Sequence, residues 1–384
     1  MNKKIVVIPD SFKGTLSSLE VSGTMKKIIQ NELPQFQVSA IPIADGGEGT
    51  LDCFSCIKNV SRIQVKTKNA HMQDIVAPYV RFDDVAVLET ATVAGFTENN
   101  SRSNPSRTTT YGLGVLIRDA VNRGCKKIII GLGGSSTNDG GCGMAAAIGT
   151  RFLDKDGNAF IPVGETLSNI AAIDTSETRH FMRNIEVVGM CDVTNPMYGL
   201  SGAAYVFAPQ KGASPEDVIL LDNELRALAE RIESSLGMDV SRIPGGGAAG
   251  ALGVGIYAFA GGKLVKGIDI ILSMINFDTL IKDAAYVITG EGKFDKQSLH
   301  GKAISGICKA AQPTKTPIIV VAGHTDVDAD VIESMGISAL FETGPVDFSL
   351  PKEWLRKVCI NNLERATRQV CQYIKSEVPY EQCS

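Results

Sequence analysis

Apolar runs alternate with polar loops and amphipathic stretches from the start of the chain. The β-branched run from Lys3 to Pro9 predicts a strand, and Ser17-Ser-Leu-Glu20 has the form of a capping box at the start of a helix reaching about Glu32. Further strands are predicted at Gln37 to Ile43 and Val85 to Glu89. Strands and helices that alternate in this way favour a parallel α/β sheet.

A polar segment at about Glu98 to Thr109 interrupts this pattern and indicates a domain boundary. A helix, a strand at Lys126 to Ile130 and a glycine-rich loop follow it, and the C-terminal part of the chain returns to the first pattern. The predicted fold is α/β, with two different α/β domains. One is a parallel-sheet domain built from both chain ends, residues 1–98 plus 285–384, and the other, residues 99–284, is inserted and carries the glycine-rich loop.

The composition is that of a globular protein, with 384 residues of which 44% are hydrophobic and 21% charged. A net charge of −4 without a basic run argues against nucleic acid as the main partner. The apolar run before Pro9 is too short for a signal peptide and no stretch resembles a membrane span, so we expect a cytoplasmic protein without a membrane partner. The nine cysteines form no spaced framework and are expected to be reduced core thiols, as for Cys125 and Cys308 in apolar segments. Cys53 and Cys56 form a C-x-x-C pair, but it falls inside a probable helix and not at a strand-to-helix junction, which argues against a redox role.

Five polar, glycine-rich clusters follow predicted strands. They are residues 9–14, 44–50, 131–141, 191–196 and 289–298. Ligands of open α/β sheets bind outside the carboxyl ends of the strands, so we expect these loops to face one cleft.

The loop from Gly131 to Gly141 combines glycines with small polar side chains and a carboxylate. Glycine lets backbone N–H groups approach phosphate oxygens, and the following helix presents its N-terminus. The predicted phosphate- or nucleotide-binding residues are Gly133, Gly134, Ser135, Ser136, Thr137 and Asn138. Asp139 fits an anion site if it is a metal ligand that binds a divalent cation. The alternative is that Asn138 or Asp139 only caps the helix.

Several common catalytic signatures are missing from the sequence. No Walker motif occurs, the glycine loop has serine where a dinucleotide fingerprint needs its third glycine, and no G-x-S-x-G elbow is present. None of the four histidines pairs at zinc-ligand spacing. The remaining combination of anion loops, carboxylates and lysines is typical of phosphoryl transfer, in which the protein mainly positions groups and neutralises charge.

The other four clusters supply candidates for catalysis and substrate binding. Asp192 is the first candidate for the catalytic base and Asp45 the second, while Lys13 could neutralise a substrate carboxylate or a transferring phosphoryl group. The candidate substrate-binding residues are Asp10, Ser11, Glu291, Asp295, Gln297 and His324. Helix capping, Asx turns and solvated surface charge remain open as alternative roles for these residues.

The residues of the five clusters are similar to the motifs of a known protein family. Pro-Asp-Ser-Phe-Lys-Gly-Thr-Leu-Ser, Ala-Asp-Gly-Gly-Glu-Gly-Thr, Gly-Leu-Gly-Gly-Ser-Ser-Thr-Asn-Asp-Gly-Gly, Cys-Asp-Val-Thr-Asn-Pro and Thr-Gly-Glu-Gly-Lys-Phe-Asp-Lys-Gln-Ser resemble the bacterial glycerate kinase family, in order and over essentially the whole chain. Two residues depart from the family pattern: Ser136, where many relatives would carry alanine, and Lys293. Neither change affects a group that the predicted function requires.

The resemblance implies ATP-dependent phosphorylation of glycerate, in this family mostly described as giving 2-phosphoglycerate, with ATP and Mg²⁺ as cofactors. It further implies that the glycine loop holds the ATP phosphates and that Asp139 helps to hold Mg²⁺. Lys13 or His324 would bind the glycerate carboxylate, and Glu291 and Asp295 would support the cation or the substrate hydroxyls. A kinase for another small hydroxy acid and a non-catalytic sensor of nucleotide or acid remain alternatives.

Overall fold

The computed structural model describes residues 3–12, 14–44, 46–47, 49–54, 60–95, 104–295 and 303–377. The chain divides into two compact units. Unit 1 comprises residues 1–45 and 268–384, and unit 2 comprises residues 46–267. Both chain ends therefore build one unit and the middle of the chain builds the other.

The helices and strands follow one another in a largely alternating order. Unit 1 begins with β1 (Lys3–Val7), α1 (Ser18–Glu32) and β2 (Phe36–Ala40). Unit 2 holds α2 (Thr50–Phe54), β3 (Ser61–Lys68), β4 (Asp74–Phe82), β5 (Val85–Glu89), α3 (Ala91–Ala94), α4 (Tyr111–Asn122), β6 (Lys127–Gly131), α5 (Cys142–Ala147), β7 (Arg151–Leu153), β8 (Ala159–Phe160), β9 (Ala172–Asp174), α6 (Ser176–Phe181), β10 (Glu186–Met190), α7 (Ala203–Phe207), α8 (Pro215–Leu236), α9 (Ala248–Ala258) and β11 (Lys263–Val265). From the boundary onward the chain forms α10 (Gly267–Met274), α11 (Phe277–Ile281), β12 (Ala284–Phe294), α12 (Ala303–Ala311), β13 (Ile318–Thr325), α13 (Ala329–Ser334), β14 (Ile337–Glu342) and α14 (Lys352–Glu377).

Unit 1 is built on a fully parallel sheet with the strand order β14-β13-β12-β1-β2. Ile5, Val6 and Val7 of β1 are completely buried. A β-branched run buried on both faces is what a central strand of a parallel sheet requires. Helices α1 and α14 pack against each other and contribute Met25 and Leu363 to the core of this unit.

The predicted capping box is present at the start of α1. The Ser17 hydroxyl accepts a hydrogen bond from the Glu20 N–H, and the Glu20 carboxylate accepts one from the Ser17 N–H at 2.9 Å. These bonds satisfy N–H groups that have no partner within the helix. The Glu20 carboxylate also pairs with Arg356 of α14, which ties the two packed helices together.

Unit 2 is built on a mixed sheet with the strand order β11-β10-β6-β5-β4-β3. The strands β5, β6, β10 and β11 run parallel, while β3 and β4 form an antiparallel hairpin at one edge. A second, small antiparallel sheet has the order β8-β7-β9. Separate hydrophobic clusters lie around Leu116 and Met144 and around Phe152 and Leu228.

The predicted domain boundaries at 98/99 and 284/285 differ from those of the structure. Strands β3, β4 and β5 precede the polar segment, yet they belong to the sheet of unit 2, because β5 pairs in parallel with β6. The chain passes from unit 1 to unit 2 at residue 45/46 and returns at 267/268. A change in composition marks a loop, whereas strand pairing decides which sheet a strand joins.

Candidate active site

Three polar segments lie side by side at the carboxyl edge of the unit 2 sheet. The glycine loop follows β6, and its first residue Gly131 is in register with Glu89 of β5 and with Met190 of β10. Asp192 follows β10 after one further residue. Ligands bind at this edge in open α/β sheets, so the loop, Glu89 and Asp192 form the candidate site of unit 2.

The glycine loop is packed into the protein. Ser136, Thr137 and Asn138 are at most 1% exposed. The N–H groups of Gly133 and Ser136 donate to the carbonyl groups of Gly46 and Ala94 at 2.9 and 2.7 Å. The backbone of the loop is therefore fixed in part by its own chain, and phosphate binding by the loop stays a prediction.

Asp139 has a set of contacts different from those expected of a metal ligand. Its side chain is completely buried, and Oδ2 accepts hydrogen bonds from the Thr110 N–H at 2.7 Å and the Thr110 hydroxyl at 2.8 Å. Oδ2 also accepts from the Thr109 hydroxyl and the Gly143 N–H, and Oδ1 accepts from the Gly141 N–H. A cation would have to displace these donors, so the structure favours the alternative in which Asp139 organises helix starts, here those of α4 and α5.

The surroundings of Asp139 affect its charge. Burial raises the pKa of its carboxyl group, and the hydrogen bonds from Thr110, Gly141 and Gly143 favour the ionised form and act in the opposite direction. The carboxylate is thus retained in the interior by donors from two helix N-termini, where partial positive charge accumulates.

Lys211 contacts the loop from a distant part of the chain and was not singled out in the sequence. It ends the short 3-10 helix Pro209–Lys211, and its side chain is 3% exposed. Its Nζ donates to the Thr137 carbonyl at 2.7 Å and to the Ser135 hydroxyl at 3.1 Å. In sequence it looks like an ordinary surface lysine in a turn, so no local signal could have identified it.

Two polar side chains of the loop have no hydrogen-bond partner among the residues that the structure describes. They are the Thr137 hydroxyl and the Asn138 amide, whose nitrogen and oxygen are both buried. Buried polar groups are nearly always paired with protein or ordered water. These side chains therefore have hydrogen-bonding capacity left for water or a ligand.

A left-handed turn at the start of α9 packs against the glycine loop. Ala249, Gly250 and Ala251 all have positive φ angles, and the Gly250 carbonyl accepts from the Gly140 N–H at 3.0 Å. A Cβ atom on Gly250 would lie 2.0 Å from the Thr137 carbonyl oxygen. The start of α9 is therefore a defined turn that packs against the glycine loop.

Asp192 lies on the loop after β10, half-buried. Its Oδ1 accepts a hydrogen bond from the Gly267 N–H at 2.9 Å. Asn195, further along the same loop, donates from its side-chain amide to the Ser201 carbonyl at 2.8 Å. One oxygen of Asp192 is thus anchored to the backbone, which fixes the orientation of the carboxylate at the sheet edge.

Unit 1 contains a cavity at the carboxyl ends of its central strands. The cavity measures about 280 Å³. It brings together five of the predicted substrate-binding residues from the segments that follow or end β1, β12 and β13: Asp10, Ser11, Glu291, Asp295 and His324. These five predicted residues are therefore distant along the chain and adjacent in the fold.

Charges of both signs line this cavity. The Lys293 ammonium lies 3.2 Å from an Asp295 carboxylate oxygen and 3.5 Å from one of Asp326, and these neighbours raise its pKa. His324 Nδ1 lies 3.3 Å from a carboxylate oxygen of Glu342. Cationic groups suit a substrate carboxylate, and carboxylates can accept hydrogen bonds from substrate hydroxyls.

Three of the predicted site residues, Lys13, Asp45 and Gln297, lie outside the described residues. Conversely, Glu89 was not selected from the sequence, although it ends an apolar strand in the same way as the other candidates. It is 6% exposed and accepts from the Leu51 N–H at 3.4 Å.

Comparison with known proteins assigns the chain to a family. Residues 5–375 match the model of the glycerate kinase family. The chain belongs to the glycerate kinase family. The predicted family is thereby confirmed, and with it the prediction that the chain is an enzyme of this kind.

Individual relatives cover nearly the whole chain. A protein of Halalkalibacterium halodurans named glycerate kinase is 38% identical, over 95% of this chain and 97% of the relative. A protein of Escherichia coli named glycerate 2-kinase is 38% identical, over 88% of this chain and 90% of the relative.

A solved structure shares the fold. It comes from Salmonella typhimurium LT2, where the protein is named as a candidate glycerate kinase 2, and it is 36% identical with a TM-score of 0.85, covering 98% of this chain and 99% of the other. The predicted α/β fold class is thereby confirmed. Among the described residues of this family member, no helix is both long enough and apolar enough to cross a membrane.

Proposed function

We propose that this member of the glycerate kinase family transfers a phosphoryl group from ATP to glycerate and produces 2-phosphoglycerate. The observation that carries the proposal is the cavity of unit 1, in which Asp10, Ser11, Glu291, Asp295 and His324 converge. A cavity of about 280 Å³ suits a small hydroxy acid when carboxylates can accept hydrogen bonds from its hydroxyls and basic side chains, here His324 and Lys293, can bind its carboxylate.

The residues have separate tasks in this proposal. His324 and, outside the described residues, Lys13 bind the carboxylate of glycerate, while Glu291 and Asp295 accept hydrogen bonds from its hydroxyls. The glycine loop of unit 2, with Gly133, Gly134, Ser135, Ser136, Thr137 and Asn138, binds the ATP phosphates. Asp192 is the proposed base for the reacting hydroxyl, with Asp45 as the second candidate.

Magnesium is part of the proposal and requires oxygen ligands. Among the described residues, no group of three or more His, Cys, Asp or Glu side chains could hold a metal ion. Mg²⁺ bound with a nucleotide needs only one or two carboxylates in addition to phosphate oxygens. The donors around Asp139 would have to give way before this carboxylate could serve as one of them. When bound, the ion neutralises charge on the transferring phosphoryl group.

The reaction would take place in the cytoplasm, where ATP is available and the buried thiols stay reduced. A coupled ADP-release assay with D-glycerate, ATP and Mg²⁺, followed by NMR of the product, tests the proposal. Glycerate-dependent turnover to 2-phosphoglycerate is expected. Turnover to 3-phosphoglycerate would correct the position of transfer, activity only on another hydroxy acid would replace the substrate, and nucleotide binding without turnover would indicate a sensor.

A further inference from the structure

Lys211 has almost no contact with water, which is unusual for this residue type. Its side chain is 3% exposed, at the end of the turn Pro209–Lys211 of unit 2. Lysine is rarely fully buried, because an ammonium group without hydrogen-bond partners is costly in the interior. A specific set of partners must therefore hold it there.

Those partners both belong to the glycine loop. The Thr137 carbonyl accepts from Nζ at 2.7 Å and the Ser135 hydroxyl at 3.1 Å, across 74 and 76 residues of chain. Hydrogen bonds from a charged donor are stronger than those between neutral groups. The two bonds thus fix the middle of the loop to a turn that shares no secondary structure with it.

The pKa of the Lys211 ammonium group depends on its burial and on nearby negative charge. Burial lowers the pKa of its ammonium group to about 7, and the charge of Asp139 acts in the opposite direction. A phosphate group bound at the loop would likewise favour the charged form of Lys211.

The part of the loop held by Lys211 also contains the buried polar groups that lack a described partner. Thr137 offers its hydroxyl and Asn138 both ends of its amide. The Thr137 carbonyl belongs to the peptide unit that joins Thr137 to Asn138, so the bond from Lys211 restrains the backbone that carries both side chains. The left-handed turn at Gly250, at the start of α9, packs against the same carbonyl.

We propose that Lys211 is a positioning residue of the glycine loop, and that its ammonium group holds Ser135 and Thr137 in the arrangement that binds the phosphates of ATP. This inference rests on the proposed function for the identity of the ligand. It adds a residue outside all five sequence clusters to the machinery of the nucleotide site.

The test is the variant Lys211→Met in the full-length protein, with Lys263→Met as the matched control. Lys263 is also a lysine of unit 2, but its ammonium group is exposed and pairs with Glu186 at 3.0 Å. We expect Lys211→Met to raise the KM for ATP by about tenfold or more, equivalent to about 1.4 kcal/mol, while the KM for glycerate changes by less than about twofold. The control should leave both constants unchanged.

A purely structural role gives a different result, in which Lys211→Met lowers the melting temperature and leaves the KM for ATP at the wild-type value. That outcome overturns the inference. If Lys211→Met does not fold, Lys211→Gln, whose uncharged amide NH₂ can still donate hydrogen bonds, is measured in the same way, with an intermediate rise in KM expected. If neither variant folds, Lys211 is a folding residue and the inference is wrong.

Failure of the proposed function can be distinguished from failure of this inference. If the wild-type protein shows no glycerate-dependent turnover, ATP binding to wild type, Lys211→Met and Lys263→Met is measured by calorimetry. Weaker ATP binding by Lys211→Met alone supports the role of Lys211 although the substrate is wrong. Equal affinities overturn the inference, and a wild-type protein that does not bind ATP overturns both.

Discussion

At the scale of single residues, Asp139 shows how a buried carboxylate can serve structure at the centre of a predicted ligand site. It accepts hydrogen bonds from residues just before and at the starts of α4 and α5, and none of its surface is exposed. The sequence suggested a metal ligand because a carboxylate beside a phosphate loop would otherwise repel the anion. The structure offers a second resolution, in which helix N-termini neutralise the charge.

The variant Asp139→Asn separates these two roles. An amide nitrogen would face N–H and hydroxyl donors in place of a carboxylate oxygen, so we expect the free energy of unfolding to fall by ~2–4 kcal/mol. Chemical denaturation measures the loss, and Asp156→Asn on an exposed turn is the control with no expected change. Reduced turnover at unchanged stability would instead identify Asp139 as a metal ligand.

Burial also decides the chemistry of the cysteines. It raises the pKa of Cys191 to about 11 and that of Cys308 to about 12, so neither thiol ionises near neutral pH. We expect both to resist iodoacetamide at pH 8 in the folded protein and to react fully after unfolding, because the thiolate is the nucleophile. Peptide mass mapping gives the readout, and alkylation of Cys191 in the folded protein would contradict this assignment.

At the scale of elements, the left-handed turn at the start of α9 depends on close approach as well as on backbone freedom. Gly250 has φ +67°, and Gly237 at the end of α8 has φ +71°. The two positions differ in their surroundings, since a Cβ atom at Gly250 would lie 2.0 Å from the Thr137 carbonyl oxygen and one at Gly237 would meet nothing within 4 Å.

Gly237→Ala is therefore the matched control for Gly250→Ala. The control should lower the free energy of unfolding by about 1 kcal/mol, because alanine is disfavoured in the left-handed conformation. Gly250→Ala should lower it by more and displace the glycine loop. Thermal unfolding compares stability, and ATP affinity reports the position of the loop. Equal costs at the two positions would show that the turn and the loop can move apart.

At the scale of the whole molecule, unit 2 has the features of an independently folding domain. Its six-stranded sheet is complete within residues 46–267, and the hydrophobic clusters around Met144 and around Leu228 draw only on this range. A domain with its own core and a continuous chain can in principle fold alone.

We expect residues 46–267, expressed by themselves, to unfold in one cooperative transition by circular dichroism. The predicted insert, residues 99–284, lacks β3, β4 and β5 and leaves one side of β6 unpaired, so it serves as the comparison and should not fold cooperatively. A non-cooperative melt of residues 46–267 would mean that this unit needs unit 1 for stability.

The sequence by itself determined much of this protein. The apolar run of β1 and the capping box at Ser17 are local properties, and patterns of this kind identified the elements and the α/β class. The motifs and their order along the chain identified the family. The cavity residues could be selected as well, because polar residues after buried strands converge at the carboxyl edge of any parallel sheet.

Only the tertiary structure decided the rest. Pairing of β5 with β6 placed the unit boundary at residue 45/46, and long-range packing buried Asp139 and brought Lys211 to the loop. A side chain's burial and its partners depend on segments far away in sequence, such as the 74 residues between Lys211 and Thr137. Local patterns carry no record of such contacts, which is why a lysine that looks like a surface residue lies in the interior beside the glycine loop.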